Sequence, residues 1–257
     1  MTNGGVEIGV LGPLDVRVAG RRVPVTSPKH RILLAALALE HGRMVSVGRL
    51  AEAIWDVRTP VRPRRAVQVY VTRLRSLFVG AGGASVIVTE LDGYSVDVPA
   101  DRTDVCRFQH WLGEADRAAR RGDVGGEAAA LRRALAQWRG DALADVPSDL
   151  LHRDRAPVLH ELRLAALDRR IEADLRLGRH RDVVGELTEL TGRDPLRERF
   201  WLHLMTALHL GGRRVEALAA YHRGRRHLVD ELGLEPGADL QRMHARVLTG
   251  GRAAGAG

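Results

Sequence analysis

Apolar and polar positions follow two different rhythms along this chain, and the rhythm changes near residue 100. Residues 6–11 (VEIGVL), 14–18 (LDVRV) and 22–25 (RVPV) read as short strands, parted by turn signals at Gly12-Pro13 and Gly20. Residues 28–40 are helix formers and apolar on nearly every side, which predicts a helix at the centre of the core, ended by His41-Gly42. Ser46 suits the N-cap of a second helix running to Trp55. Its Val47, Leu50, Ala51 and Ile54 recur at i, i+3, i+4 and i+7. A proline-bearing loop over 59–63 leads to a third helix, with Pro63 in its first turn. Residues 86–98 then read as a hairpin turning at Asp92-Gly93. Strands, three helices and a closing hairpin are the order of a winged helix-turn-helix with an extra N-terminal sheet.

Residues 99–101 mark a junction, and no strand pattern follows them. Ala-, Leu-, Arg- and Glu-rich segments of helical period are broken instead by glycines such as Gly122, Gly140, Gly178 and Gly192. A 34-residue period shows in Gly178-Arg179-His180 recurring as Gly212-Arg213-Arg214. Trp201, Leu204, Leu208, Ala217, Tyr221 and the small Gly224 fall at the offsets of a tetratricopeptide unit, with Pro195 where the preceding unit closes. Met205 stands where that pattern has glycine, and the closing proline is delayed to Pro236. An irregular helical bundle is the alternative. The predicted fold class is multi-domain, α+β followed by all-α. A winged helix-turn-helix occupies 1–100, TPR-like helices 101–250 and a disordered tail 251–257.

Composition narrows the function. The longest apolar run, 32–39, is too short to span a bilayer, and no secretory pattern opens the chain. The lone Cys106 rules out an internal disulfide framework and fits a reducing cytoplasm. Net charge is +8, and Lys29 is the only lysine, so the basicity is arginine, which a GC-rich genome would also produce. Its distribution says more than its size. Residues 57–89 carry six arginines and no acid, which points to an anionic partner.

On a helical wheel over 64–78, Val67, Tyr70, Val71, Leu74, Leu77 and Phe78 share one arc. Arg65, Gln68, Val69, Thr72, Arg73, Arg75 and Ser76 share the other. The second arc has the chemistry of a major-groove reader: arginine for guanine, glutamine for adenine, a small apolar group for the thymine methyl. Thr72 and the remaining arginines, Arg75 among them, suit phosphates, and Arg64 and Ser76 complete the expected DNA-binding set. A charged solvent face with one stray valine is the simpler alternative. Tyr94, beside the hairpin turn, is either a wing contact to DNA or a core aromatic.

Other chemistry finds no residues to carry it. There is no GxxxxGK[ST] loop and no CxxC, and His203/His209 and His222/His227 lack the i, i+4 spacing of a helical zinc site. No metal, cofactor or catalytic set is expected, and the chain reads as a non-enzyme. Cys106 reads as a core residue, and Asp116 and Glu127 as members of solvated ion pairs.

The segments LGPLDVRVAGRRVPV (11–25), SPKHRILLAALAL (27–39), VSVGRLAEAIW (45–55), AVQVYVTRLRSLF (66–78) and DGYSVDVP (92–99) resemble the reader of the actinobacterial antibiotic regulatory proteins, the SARP family. That reader is similar to the winged helix of response regulators. ALAQWRGDALADV (134–146) and long stretches from 161 to 248 resemble the family's bacterial transcriptional activator domain. The resemblance implies a pathway-specific activator of a biosynthetic gene cluster. Such a protein acts in the cytoplasm on the nucleoid, binds direct repeats of double-stranded DNA side by side and recruits RNA polymerase holoenzyme. It implies a recognition helix over 63–78, with Arg65, Gln68, Val69, Thr72 and Arg73 facing the groove. It also implies a polymerase-contacting loop over 55–62, with Asp56, Arg58, Thr59 and Arg62 as its polar residues. The competing reading is a helical-repeat adaptor that binds nucleic acid nonspecifically.

Overall fold

The computed structural model describes residues 5–56 and 60–249; the predicted tail, 251–257, lies outside them. Two compact units emerge, one of residues 1–114 with 130–166, the other of 115–129 with 167–257. This division falls inside three helices rather than at residue 100.

The first unit opens with a three-stranded antiparallel sheet of β1 (Val6–Gly9), β2 (Asp15–Val18) and β3 (Arg21–Arg22). The predicted first strand ends two residues early, and the cause is chemical. The N–H groups of Val10 and Leu11 are taken by the buried Asp104 carboxylate, each at 2.9 Å, so they cannot join a ladder. The predicted strand at 22–25 is reduced to Arg21–Arg22.

Helices α1 (Pro28–Leu39), α2 (Val47–Trp55) and α3 (Pro63–Gly80) follow. Every residue of α1 from Ile32 to Leu39 is buried, as its all-round apolar pattern requires. It packs with Leu50 of α2 and with Val67, Val71, Leu74 and Phe78 of α3, all of them buried. Ser46 does cap α2: its hydroxyl accepts the Arg49 N–H at 3.2 Å. The wing consists of β5 (Ile87–Thr89) and β6 (Gly93–Val96). The sequence gives no sign of β4 (Val45–Ser46), which pairs with β6 and makes a second sheet of order β4-β6-β5. Gly93 is required there, because a Cβ would lie 2.1 Å from the Val45 carbonyl oxygen.

This unit also contains residues that the sequence pattern places beyond the junction. Asp104, at the start of α4 (Asp104–Arg120), accepts a third bond from Arg139 at 2.9 Å. Arg139 donates to the Pro13 carbonyl at 2.8 Å, and Leu14 N–H to the Asp145 carboxylate at 2.7 Å. Arg31 of α1 forms an ion pair with the same Asp145. Ser148 caps the short α6 (Asp149–Asp154) while donating to the Ala53 carbonyl of α2 at 2.7 Å. Arg49 pairs with Asp154 and Arg155 with Glu40, both at 2.9 Å. The three-helix core is thus tied on two sides by residues 104–155. Cys106 is half-buried, beside the fully buried Phe108.

The second unit is helical. It is made from parts of α4, of α5 (Val124–Leu135) and of α7 (Ala156–Arg176), with α8 (Val184–Arg193), α9 (Glu198–Leu210), α10 (Arg214–Leu232) and α11 (Ala238–Thr249). The 34-residue period recurs in its turns. Gly178 and Gly212 both sit at φ +75°, and Arg179 and Arg213 each donate a backbone bond five residues back, to Asp174 and Leu208. Trp201 packs against α10 at Gly224, where a Cβ would lie 2.8 Å from the indole. The indole N–H is satisfied by the Pro195 carbonyl at 2.8 Å. Helix pairs of this kind are TPR-like. Asp116 forms a solvated ion pair as expected, whereas Glu127 does not. Both are drawn to one tertiary partner, Arg169, at 2.7 and 2.9 Å, and Glu127 is buried.

Two outcomes follow from the loop clamp. Asp104→Ala strands the Arg139 charge and two buried N–H groups, so a loss of about 3–5 kcal/mol in urea unfolding is expected. Burial would raise the Asp145 pKa, but Arg31 and the Leu14 N–H outweigh it and hold the carboxyl below its ordinary value. A lowered pKa contributes stability that is complete above the unfolded value and lost as pH falls through the folded one. The unfolding midpoint of the wild type should therefore drop below about pH 4, and Asp145→Asn should flatten that drop.

Candidate nucleic-acid interface

Pro63 starts α3, and no acid occupies the helix's first turn, so its positive end and the adjacent Arg64 and Arg65 favour anions. The amphipathic division expected from the wheel is realised. Val67, Val71, Leu74 and Phe78 are buried, with Tyr70 and Leu77 half-buried beside them. Arg65, Gln68, Val69, Thr72, Arg73 and Ser76 form one solvent-exposed face. Val69 is 43% exposed, an apolar side chain held in water between polar neighbours. Thr72 and Ser76 donate their hydroxyl protons to the Gln68 and Thr72 carbonyls at 2.9 and 3.1 Å. A phosphate would take the proton only after the hydroxyl rotates away from its carbonyl.

Two arginines of the basic set have a different employment. Arg75 donates through Nε and Nη2 to the Ile87 carbonyl at 3.0 and 2.7 Å, and through Nη2 to the Thr89 hydroxyl at 2.8 Å. It is half-buried. Arg64, eleven residues earlier on the same edge of α3, donates to the Leu91 carbonyl at 3.0 Å and Asp92 at 3.2 Å. Together they fasten the wing to the helix at its strand and its turn. For Arg75, expected among the phosphate contacts, the wing takes Nε and Nη2 and leaves only Nη1 to meet a phosphate. Arg64 remains largely exposed and keeps donors for a phosphate. Tyr94 is corrected: it is buried, paired across the sheet with Val45 and Thr89, and takes the core alternative.

On the opposite edge of α3, His30 meets Tyr70 edge-on at 5.5 Å, and Lys29 Nζ lies 5.3 Å from the Trp55 ring and 5.8 Å from Tyr70. Burial, with the nearby Arg73 charge, holds the His30 pKa below its ordinary value. This cluster fixes where α2 ends and where the loop toward α3 departs. Of the four loop residues, Asp56 and Arg62 are exposed, while Arg58 and Thr59 lie outside the described residues. Asp56 takes φ +50° and ends α2, its N–H bonded back to the Glu52 carbonyl. Sequence reasoning missed Val79, 59% exposed one residue beyond the predicted helix end, and Leu91, 94% exposed at the wing turn. It also missed the Lys29 cluster, because Lys29, Trp55 and Tyr70 lie 26 and 15 positions apart, with His30 next to Lys29, beyond the reach of any local pattern.

Comparison with known proteins fits this geometry. Residues 20–95 match the C-terminal domain of transcriptional regulatory proteins, and residues 103–248 match the bacterial transcriptional activator domain. The regulatory protein DnrI of Streptomyces peucetius is 38% identical over 250 residues, covering 95% of this chain and 92% of the relative. The chain belongs to the SARP family of transcriptional regulators. AfsR of Streptomyces coelicolor is 40% identical over 96% of this chain, which spans only 24% of that longer protein. EmbR of Mycobacterium tuberculosis, solved in complex with a low-affinity phosphopeptide, superposes with TM-score 0.89 at 34% identity. That match covers 95% of this chain and 65% of EmbR. The fold of this SARP-family regulator is accordingly a winged helix-turn-helix followed by TPR-like helices. Among its described residues no helix is long and apolar enough to cross a membrane.

Arg75→Ala should loosen the wing, costing about 1–3 kcal/mol in urea unfolding and raising hydrogen exchange at the β5 and β6 amides. An unchanged wing together with a flatter salt dependence of DNA binding would return Arg75 to the phosphate contacts.

Proposed function

We propose that this regulator is a sequence-specific DNA-binding activator that reads direct repeats with α3 and recruits RNA polymerase to a secondary-metabolite gene cluster. The observation that carries the proposal is the exposed face of α3. Arg65, Gln68 and Val69 offer a guanine donor pair, an adenine-matching amide and a methyl contact within little more than one turn. Arg64, Arg73, Thr72 and Ser76 flank them with groups suited to phosphates. The pinned wing keeps that face from shifting relative to the neighbouring groove. DnrI and AfsR are named regulatory proteins, which accords with a non-catalytic role in the cytoplasm, on the nucleoid. The reader is assigned to 1–100 and the regulatory helices to 101–250. Residues 104–155 serve the reader as scaffold as well.

The polymerase contact is assigned to the loop after α2, where Asp56 and Arg62 are exposed and Val61 is 99% exposed. Direct-repeat operators imply copies bound head to tail rather than as a symmetric pair. A genome-wide selection with purified protein should enrich a direct repeat spaced near one helical turn, about 10–11 base pairs. Gln68→Ala should then cost on the order of 1–3 kcal/mol at one base position only. Arg73→Ala should weaken all sequences alike and reduce the salt slope by about one. Binding with no enriched motif would sink the reader assignment in favour of a nonspecific adaptor.

A further inference from the structure

Within the second unit, α7, α9 and α11 are alternate helices of the repeat, and their facing sides line an open groove of about 650 Å³. Its floor is apolar: Leu175 of α7, Leu202 and Leu210 of α9, and Met243 of α11. Leu210 is 51% exposed at one end of this floor, so the apolar surface is accessible from solvent. The groove continues past Leu202 and Arg199 toward Gly237 and Leu240, so it is a channel along the helices rather than a closed pocket.

Charge divides the groove lengthwise. At the end nearer Leu202 the ions are matched: Arg199 bonds Asp168 and Glu172 at 3.1 and 3.0 Å, and Arg242 bonds Asp239. At the end nearer Leu210, Arg176 and Arg246 stand exposed on opposite walls, with no ion pair among the described residues. Two uncompensated cations therefore flank an apolar floor. A nucleic-acid strand needs cations along its whole length, whereas here Glu172, Asp239 and the leucines would meet the phosphates. A concave wall of stacked helix pairs is the surface on which repeat proteins take extended segments or helices.

We infer that the groove between α7, α9 and α11 is a docking site for an acidic amphipathic segment of another protein. The segment's leucine-sized side chains would lie on Leu175, Leu202, Leu210 and Met243, and its carboxylates would reach Arg176 and Arg246. The site is separate from α3 and does not depend on the DNA reading.

The test is selection of a phage-displayed random 12-residue peptide library on the full chain. The expected consensus holds at least two large apolar residues and an excess of Asp and Glu. A fluorescein-labelled synthetic copy should lose at least tenfold in affinity, by anisotropy, against the Arg176→Glu/Arg246→Glu double variant. Leu210→Ser should weaken it several-fold. Both variants change exposed side chains and should keep the wild-type melting curve and duplex-DNA retention. The inference is overturned by failure to enrich a consensus, by a basic consensus, or by equal affinity for the double variant. It is overturned too if the double variant loses DNA retention in step with the peptide, because the groove would then be a nucleic-acid surface.

Discussion

Asp104 has a nearly fully buried carboxylate whose oxygens accept two backbone N–H groups of the β1–β2 loop and one guanidinium. A buried charge is tolerable only when its hydrogen bonds are complete, so this one fixes three pieces of chain at once. It stops β1, holds the loop at 10–14, and brings Arg139 close enough to bond Pro13. Asp145 and Ser148 extend the same logic to α1 and α2. The consequence reaches function: the helices that orient α3 are held from outside by residues that the linear sequence assigns to the following domain.

The recognition helix has a comparable division of labour. Arginines are the natural currency of a DNA reader, yet a wing that must hold its angle also needs donors for its strand carbonyls. Arg75 and Arg64 serve that second need along one edge of α3, leaving Arg65 and Arg73 free. A planar guanidinium holds its donors in a fixed fork, so it grips the Ile87 carbonyl through two of them and the Thr89 hydroxyl in one set geometry. The opposite edge is held by ring contacts among His30, Tyr70, Trp55 and Lys29 instead. Between the two edges lies the solvent-exposed face of the helix.

Much of this architecture is legible in the chain itself. The all-round apolar run of α1, the Ser46 cap, Pro63 in the first turn and the two faces of α3 depend on neighbours within a few residues. So do the Asp-Gly wing turn and the 34-residue recurrence of Gly178 and Gly212. Each is a local rule of backbone and periodicity, and each reappears in the structure. Less legible was β4, two residues long and defined only by its pairing to β6. The length of β1 was hidden likewise, because the residue that ends it is 94 positions away.

The sequence by itself determined the three reader helices, the wing hairpin and the helical period of the second half, which face of α3 is polar, and which family the chain resembles. Those properties follow from the period of apolar residues and from turn chemistry, and both are written in consecutive positions. The tertiary structure alone decided which arginines remain available, that Tyr94 is core, and that residues 104–155 brace the reader. It also placed Arg176 and Arg246 on opposite walls of one groove. These outcomes depend on partners far apart in the chain, and a charged side chain carries no local mark of whether folding will give it a partner.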